Sequence, residues 1–130
     1  MDVALEKVNE DARGAIFSVK IPPDQELMVF FCKAGHFRGG HSHDVREAVL
    51  LLSGRFRYHK SAPNWESGVR RIEWVEEMYP GMMSMNEAGV DHMGEFLEDS
   101  WLVEWKLNTH NGAWTTTDYE PMREKVRASL

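Results

Sequence analysis

The sequence lacks the features that mark secreted, membrane-spanning and nucleic-acid-binding proteins. Cys32 is the single cysteine among 130 residues, so the chain forms no disulfide within itself, as is usual in the reducing cytoplasm. No apolar run approaches the length that spans a bilayer, and residues 1–14 lack the apolar core of a secretory signal. The net charge of −6 excludes a nonspecific nucleic-acid binder. We therefore expect a cytoplasmic protein that contacts neither membranes nor nucleic acids.

The remaining composition is that of a folded globular protein. Apolar residues make up 42% of the sequence and charged residues 28%. A chain of this length buries a substantial core but is short for two domains of ordinary size. We expect a single domain spanning residues 1–130.

The most informative segment is GHFRGGHSHDVREAVLLLSG, at residues 35–54. It places His41, His43 and Glu47 within seven residues, directly before an apolar run. Two imidazoles and one carboxylate are ligands that divalent transition metals favour. His92, farther along the chain, supplies a fourth candidate ligand. These residues make a metal site the leading functional hypothesis.

Strand geometry is expected to bring these side chains together. Successive residues of a strand alternate faces, so His41 and His43 point the same way. Glu47 then begins a run that is apolar on both faces, with Val49 and Leu51 on its own face, which predicts a strand covered on both sides. A lone carboxylate there is costly unless it is paired or bound to a cation, and the two histidines offer that compensation through a shared metal.

The histidine segment resembles the first motif of the cupin superfamily. That motif is glycine, five residues, histidine, one residue, histidine, three residues, glutamate, six residues and glycine, and here it runs from Gly35 to Gly54. The second cupin motif is matched in spacing by Gly81, Gly89 and His92. The resemblance covers most of the chain, about residues 19–107.

Two positions depart from the second motif. Glu87 stands where the motif has proline, and Phe96 stands where an asparagine is often found. The histidine itself is retained, so the resemblance still implies a complete ligand set. The implied ligands are His41, His43, Glu47 and His92. The implied cofactor is one divalent transition metal, Fe, Mn, Ni, Cu or Zn, because the same ligands suit several of these ions.

The resemblance also implies an all-β fold, a double-stranded β-helix or jelly roll closed into a barrel, with its core at about residues 15–107. The segment TTTDYEPMREKVRASL begins with capping residues and ends in a helix-favouring run, which predicts a short helix from about residue 118 within a tail at about 115–130. Apolar patterning predicts strands at 15–21, 26–34, 47–53, 55–60, 69–76, 82–86 and 100–107, a further strand carrying the histidines, a short helix or arm at 4–10 and a loop at 61–68.

Three functions stay open. A 3-His/1-Glu site predicts a small metalloenzyme of oxygenase, isomerase or lyase type that acts on a small polar molecule. The segment RGGHSHDVREAVLLLSGRF also resembles the histidine region of nucleotide-sugar ketoisomerases of the deoxysugar pathways, in which histidines move protons without a metal. Glu47 departs from that family, which tends to carry glutamine in this region. The third function is a binding module that does no chemistry.

Arg38 and His43 are the candidate catalytic residues. Arg38 lies three residues before His41, at the mouth of the expected pocket, where it would grip a carboxylate or phosphate of the substrate. The alternative is a surface arginine in a loop. His43 would carry the proton transfer if the ketoisomerase interpretation holds.

The remaining conspicuous side chains are assigned structural roles. Cys32 and the methionine cluster of Met78, Met82, Met83, Met85 and Met93 are predicted to fill the core. Large aromatic residues in strands usually belong to a core or a dimer interface, and we expect a homodimer. Three tryptophans lie in predicted strands and are the residues expected to serve these roles: Trp74, Trp101 and Trp105. The histidines outside the motifs, His36, His59 and His110, are predicted to lie at the surface or in loops.

Overall fold

The computed structural model describes residues 3–64, 66, 71–107, 109 and 113–128. Strands and one short helix account for most of these residues. The strands are β1 (Ala4–Asp11), β2 (Gly14–Ile21), β3 (Gln25–Cys32), β4 (Phe37–His43), β5 (Arg46–Ser53), β6 (Phe56–Pro63), β7 (Arg71–Met78), β8 (Met83–Asn86), β9 (Asp91–Phe96), β10 (Ser100–Leu107) and β11 (Thr116–Asp118), and the helix is α1 (Glu120–Ala128).

The strands form two antiparallel sheets that pack face to face. The first sheet has the order β1-β2-β3-β10-β5-β8, and the second has the order β11-β4-β9-β6-β7. Sequence neighbours β4 and β5 lie in different sheets, as do β9 and β10, so the chain crosses repeatedly from one sheet to the other. The predicted all-β jelly roll with a short C-terminal helix is confirmed.

One apolar core fills part of the space between the sheets. It consists of Cys32, Val49, Leu51, Phe56, Tyr58, Met78, Phe96 and Leu102. Alternate residues of β5 and β10 point into it, because the period of a strand is two and one face of each strand meets the opposite sheet. The rest of the interior is an open cavity, and it is this cavity that holds the histidines.

The helix α1 covers the outer face of the second sheet. Met122 and Val126 on the helix pack against Met93, and Phe37 and Tyr119 border this second cluster. The helix starts at Glu120, two residues after the position predicted from the capping residues. No helix among the described residues is long and apolar enough to cross a membrane.

A bulge in β4 decides which side chains face the cavity. Arg38 pairs with Gly94 and His41 pairs with His92, which leaves Gly40 as an extra residue. Without this extra residue, Arg38 and His41 would point to opposite faces of the sheet, because side chains alternate along a strand. With it, both side chains point into the cavity. Gly40 has φ of 85°, in the region that favours glycine.

Several predicted elements need correction. Residues 4–10 are strand rather than helix or arm, since they lie within β1, which pairs with β2 along its length. The loop predicted at 61–68 begins later, because β6 runs to Pro63. The strands β9 and β11 were not predicted at all. Parts of the predicted loop, the following strand and the tail, at residues 65, 67–70 and 129–130, lie outside the described residues.

Candidate metal site

Three of the four candidate ligands meet inside the barrel. His41 and His43 come from β4, and His92 comes from the neighbouring strand β9. One nitrogen from each imidazole lies within 4.8 Å of the other two. The ring centroids are 4.8–5.1 Å apart. The three rings therefore converge on one point, as the strand alternation and the bulge require.

Glu47 reaches the same point from the opposite sheet. Its Oε2 lies 3.2 Å from Nε2 of His43, and its Oε1 lies 3.4 Å from Nε2 of His92. The side chain is 1% exposed. The structure thus brings together all four residues that the sequence singled out as candidate ligands.

His92 is held in one orientation by the backbone. Its Nδ1 lies 3.1 Å from the carbonyl oxygen of Val90. A carbonyl oxygen only accepts hydrogen bonds, so Nδ1 carries the proton and Nε2 of a neutral His92 is bare. That bare nitrogen faces a carboxylate oxygen of Glu47, so two hydrogen-bond acceptors oppose each other inside the protein. A cation between them would remove the conflict.

His43 is anchored in a similar way. Its Nδ1 lies 3.0 Å from the hydroxyl of Thr116 on β11, and its Nε2 faces Glu47. A hydroxyl can donate or accept, so His43 can present Nε2 either bare or protonated. Anchoring of the second ring nitrogen is the arrangement that orients metal-bound histidines.

Burial favours the neutral forms of His41 and His92, whereas neighbouring groups keep Glu47 charged. Burial lowers the pKa of His41 to about 4, helped by repulsion from His43. Burial likewise lowers the pKa of His92 to about 3. Burial alone would raise the pKa of Glu47, but the hydrogen bond with His43 and the positive charge of Lys106 hold it below its usual value. Neutral imidazoles and an ionised carboxylate are the forms that bind metals.

Glu47 has two further hydrogen-bond partners that were not predicted from the sequence. Lys106 Nζ lies 2.5 Å from Oε2, and the amide of Asn86 donates to Oε1 at 3.0 Å. Both come from strands that flank β5, where Lys106 and Asn86 are the register partners of Glu47. The alternation of apolar and polar residues in SWLVEWKL places Lys106 on the inward face of β10, and this pattern could have indicated that Lys106 lies near Glu47. Glu47 is therefore compensated in part without any metal.

The four ligands line a cavity of about 350 Å³. Its apolar wall includes Ile16, Met28, Phe30 and Phe96. Its charged groups include Arg38 on the second sheet, Glu104 and Lys106 on the first sheet and Arg123 on α1. The size is at the lower end of small-molecule sites. A cavity with a few charged groups on an apolar wall can orient a small polar ligand.

Arg38 lines this cavity instead of lying in a surface loop. It belongs to β4, and its side chain is 12% exposed. Its Nη2 lies 3.8 Å from Asp11, and neither its Nε nor its Nη2 has a hydrogen-bond partner among the described residues. Buried guanidinium donors without partners are costly, and a bound anion would satisfy them.

Glu104 is a further charged group that the sequence argument did not single out. It lies on β10 two residues before Lys106 and lines the cavity. Burial, together with the negative charge of Glu47, raises its pKa well above the usual value. A neutral carboxylic acid in this position is able to donate a hydrogen bond to a ligand.

The donor set fits a transition metal. With bonds of 2.0–2.2 Å, neighbouring ligand atoms on one ion lie about 2.8–3.6 Å apart. The distances of Glu47 to His43 and to His92, 3.2 and 3.4 Å, fall in this range. The three imidazole nitrogens lie within 4.8 Å of one another, so a pair at that limit would have to close by about 1–2 Å to share one ion.

The structural roles predicted for other residues are met only in part. Cys32 is fully buried, and Met78 and Met93 are core residues, but Met82 and Met83 are exposed. His59 is half-buried rather than fully exposed, since it lies on the outward face of β6 with its Nε2 2.9 Å from Oε1 of Glu95. His110 lies outside the described residues.

Solved structures share this architecture. CapF from Staphylococcus aureus, a capsular polysaccharide assembling protein, is 20% identical with a TM-score of 0.66, over 92% of this chain and 32% of that chain. Vicilin from hazelnut, Corylus avellana, is 10% identical with a TM-score of 0.72, over 96% of this chain and 39% of that chain. The chain has the fold of the cupin superfamily.

A vicilin from Solanum melongena, which has different anionic ligands in structurally similar pockets, is 12% identical with a TM-score of 0.70, over 95% of this chain and 37% of that chain. The chain therefore spans only 32–39% of the length of these neighbours. Neither a protein-family model nor a curated protein matches the sequence. At these identities the similarity establishes the fold alone.

Proposed function

We propose that this protein is a small metalloenzyme that binds one divalent transition metal and acts on a small anionic molecule. The proposed ligands are His41, His43, Glu47 and His92. The observation that carries the proposal is the pair formed by His92 and Glu47. The backbone at Val90 fixes the proton of His92 on Nδ1, so a bare nitrogen faces a carboxylate oxygen at 3.4 Å. A bound cation converts this conflict into two bonds.

The remaining residues have distinct roles in the proposal. When bound, the metal supplies Lewis-acid polarisation of a substrate oxygen or, if it is redox-active, oxygen activation. Thr116 holds His43 in place. Arg38 binds the anionic group of the substrate through its free donors, and Glu104, whose pKa is raised by burial, adds a second polar group to the cavity wall. The apolar wall of the cavity excludes water around these contacts.

Two observations support an anionic substrate of small size. Arg38 and Lys106 are the least exposed cations that line the cavity, and Lys106 is already paired with Glu47, which leaves Arg38 for a ligand. The neighbour from Solanum melongena has pockets with anionic ligands in the same fold. The cavity of about 350 Å³ accommodates a molecule much smaller than a nucleotide sugar.

Elemental analysis of protein purified without an affinity tag tests the proposal. We expect close to one transition-metal ion per chain, and we expect His43→Ala to lose it. His59→Ala is the matched control, because His59 is also a partly buried histidine beside a carboxylate but lies on the outward face of β6. The proposal fails if the parent protein binds no transition metal after incubation with Fe, Mn, Ni, Cu or Zn, or if both variants retain it equally.

A second candidate function is a metal-independent sugar-nucleotide ketoisomerase or epimerase. Lys106 favours it, because its ammonium compensates Glu47 without a metal and leaves His43 free to move a proton. The similarity to CapF, a capsular polysaccharide assembling protein, is in keeping with sugar chemistry. Activity on a sugar nucleotide that survives exhaustive treatment with a chelator, but not the change His43→Asn, would favour this function over the metalloenzyme.

A further inference from the structure

The outer face of the first sheet is largely apolar across β2, β3, β10 and β5. The cavity lies on one side of this sheet, and Glu47, Glu104 and Lys106 point into it, so the alternate residues of β5 and β10 point outward. The register places residues from neighbouring strands side by side on the outward face. They include Phe31, Leu50, Met83, Trp101, Val103 and Trp105.

Nothing among the described residues covers this face as α1 covers the other sheet. The helix contacts β4 and β9, both in the second sheet. Trp101 is 41% exposed, although its ring lies beside that of Phe31 with centroids 4.9 Å apart, and Met83 is 57% exposed. The apolar run of β5 is predicted to be covered on both sides, and in the single chain its outer face is covered only in part: Ala48 is buried and Leu50 half-buried, but Leu52 is 51% exposed.

We propose that this face is the interface of a homodimer, in which a second copy of the chain packs sheet against sheet. The four strands β2, β3, β10 and β5 each have eight residues. At about 4.8 Å between strands and about 3.3 Å per residue, they present a face of roughly 20 by 26 Å. The solvent-accessible area of the face is larger than this flat area, because side chains project from the sheet. It therefore approaches the ~800 Å² that each partner buries in a stable complex.

The charge pattern favours a second copy over a different partner. On the outward positions of these four strands Arg46 is the single charged residue, and it pairs with Glu87 at the corner of the sheet. An apolar surface without charges is complementary to itself, which a two-fold contact requires. Selecting one foreign partner usually needs several charged or polar groups, and on these four strands the outward positions carry few, with Arg46 and Gln25 at the ends of strands.

Sedimentation or light scattering of the full chain, over a wide range of concentration, tests the proposal. We expect twice the monomer mass for the parent protein and an at least thirtyfold weaker dimer for Trp101→Lys, about the loss on removing an interface hot spot. Trp74→Lys is the matched control, since Trp74 is 38% exposed but lies on the second sheet. A monomer at every concentration, or a dimer that Trp74→Lys weakens and Trp101→Lys does not, would overturn the proposal.

Footprinting of the unmodified protein keeps the test independent of whether the variants fold. Carbene labelling followed by mass spectrometry reports exposed side chains. We expect Trp101 and Met83 to be protected, while Trp74 and Met82, of comparable exposure in the single chain, are labelled. Labelling of Trp101 and Met83 as strongly as these controls, at a concentration where the mass is that of a dimer, would place the interface elsewhere. The metal site faces the other side of the sheet, so either outcome leaves the proposed function untouched.

Discussion

Lys106 Nζ and His43 Nε2 share one carboxylate oxygen of Glu47, Oε2, at 2.5 and 3.2 Å. A metal ion at the imidazoles would meet the same oxygen, so the ammonium and the metal compete for it. The balance between them decides between the two candidate functions. In the metalloenzyme Lys106 tunes the affinity for the metal; in the ketoisomerase it replaces the metal as the partner of Glu47.

Replacing Lys106 by methionine should strengthen metal binding. Lys106→Met keeps the length of the side chain and removes the charge, which frees Oε2 of Glu47. The metal-free variant should be less stable by roughly 2–3 kcal/mol, because Glu47 loses a buried ionic partner but keeps Asn86. Denaturant unfolding with zinc and with a chelator measures both effects. Equal metal affinity in the variant and the parent would mean that the two cations do not compete.

Replacing Glu47 by glutamine should weaken metal binding and preserve the fold. The amide in Glu47→Gln is nearly the same size but lacks the charge that offsets the cation. We expect a loss of affinity of a hundredfold or more, since changes to groups that merely orient a ligand already cost about 10–100-fold. Competition with a metal-sensitive dye measures it. If the variant binds metal as tightly as the parent, the metal-free ketoisomerase becomes the better interpretation.

Replacing Arg38 by methionine should weaken anion binding without destabilising the protein. Two donors of Arg38 have no partner among the described residues, so Arg38→Met should leave the free energy of unfolding unchanged or slightly higher. Affinity for oxalate or phosphate should fall about 10–100-fold, because a hydrogen bond between charged groups contributes about that factor to a binding constant. Calorimetry and thermal melting measure the two effects. Arg57→Met is the control, because Arg57 pairs with Glu77 at the surface; an equal loss of affinity there would exclude a specific role for Arg38.

The thiol of Cys32 should stay unreactive well above neutral pH. Burial raises its pKa to about 12 from the 9.0 of a free thiol. Because only the thiolate reacts, the folded protein should be alkylated slowly at pH 10, where the unfolded chain reacts fully. The raised pKa also means that this group stabilises the fold below pH 9 and that the contribution is lost as pH rises towards 12. Rapid alkylation of the folded protein at pH 9 would show that the core around Cys32 opens.

Strands with one apolar face were predicted correctly from the sequence. A strand that forms only because it pairs with a neighbouring strand was not. The run after Glu47 and the run SWLVEWKL became β5 and β10 because their inward residues fill the core. Residues 4–11 are rich in helix-favouring residues and exposed throughout, and they form β1 only because β2 offers an edge. Propensity could not anticipate that tertiary pairing.

Strand β9 escaped prediction for a different reason. DHMGEF has polar residues on both faces, yet all six residues are buried. His92 and Gly94 face the cavity, while Asp91 meets Arg71 and Glu95 meets His59 on the other side. These partners come from other strands, so a local pattern of polarity gave no sign of burial.

The sequence predicted the candidate ligands but not the groups that orient them. The motif spacing indicated the histidines and Glu47, and the bulge at Gly40 explains why they meet. Asn86, Thr116 and the carbonyl of Val90 orient these ligands, but each is brought in by sheet register over a long sequence distance or by the backbone. Sequence spacing carries no information about such contacts.

The protonation of His92 tests the central claim most directly. Nitrogen-15 NMR of the imidazole rings distinguishes Nδ1 from Nε2, with His92→Gln for assignment and the ring of His59 as an internal control. In the metal-free protein at neutral pH we expect a proton on Nδ1 and a bare Nε2. One equivalent of zinc should then shift Nε2 of His92 and leave His59 unchanged. A proton on Nε2 of His92, or an Nε2 signal that zinc does not move, would contradict the metal site.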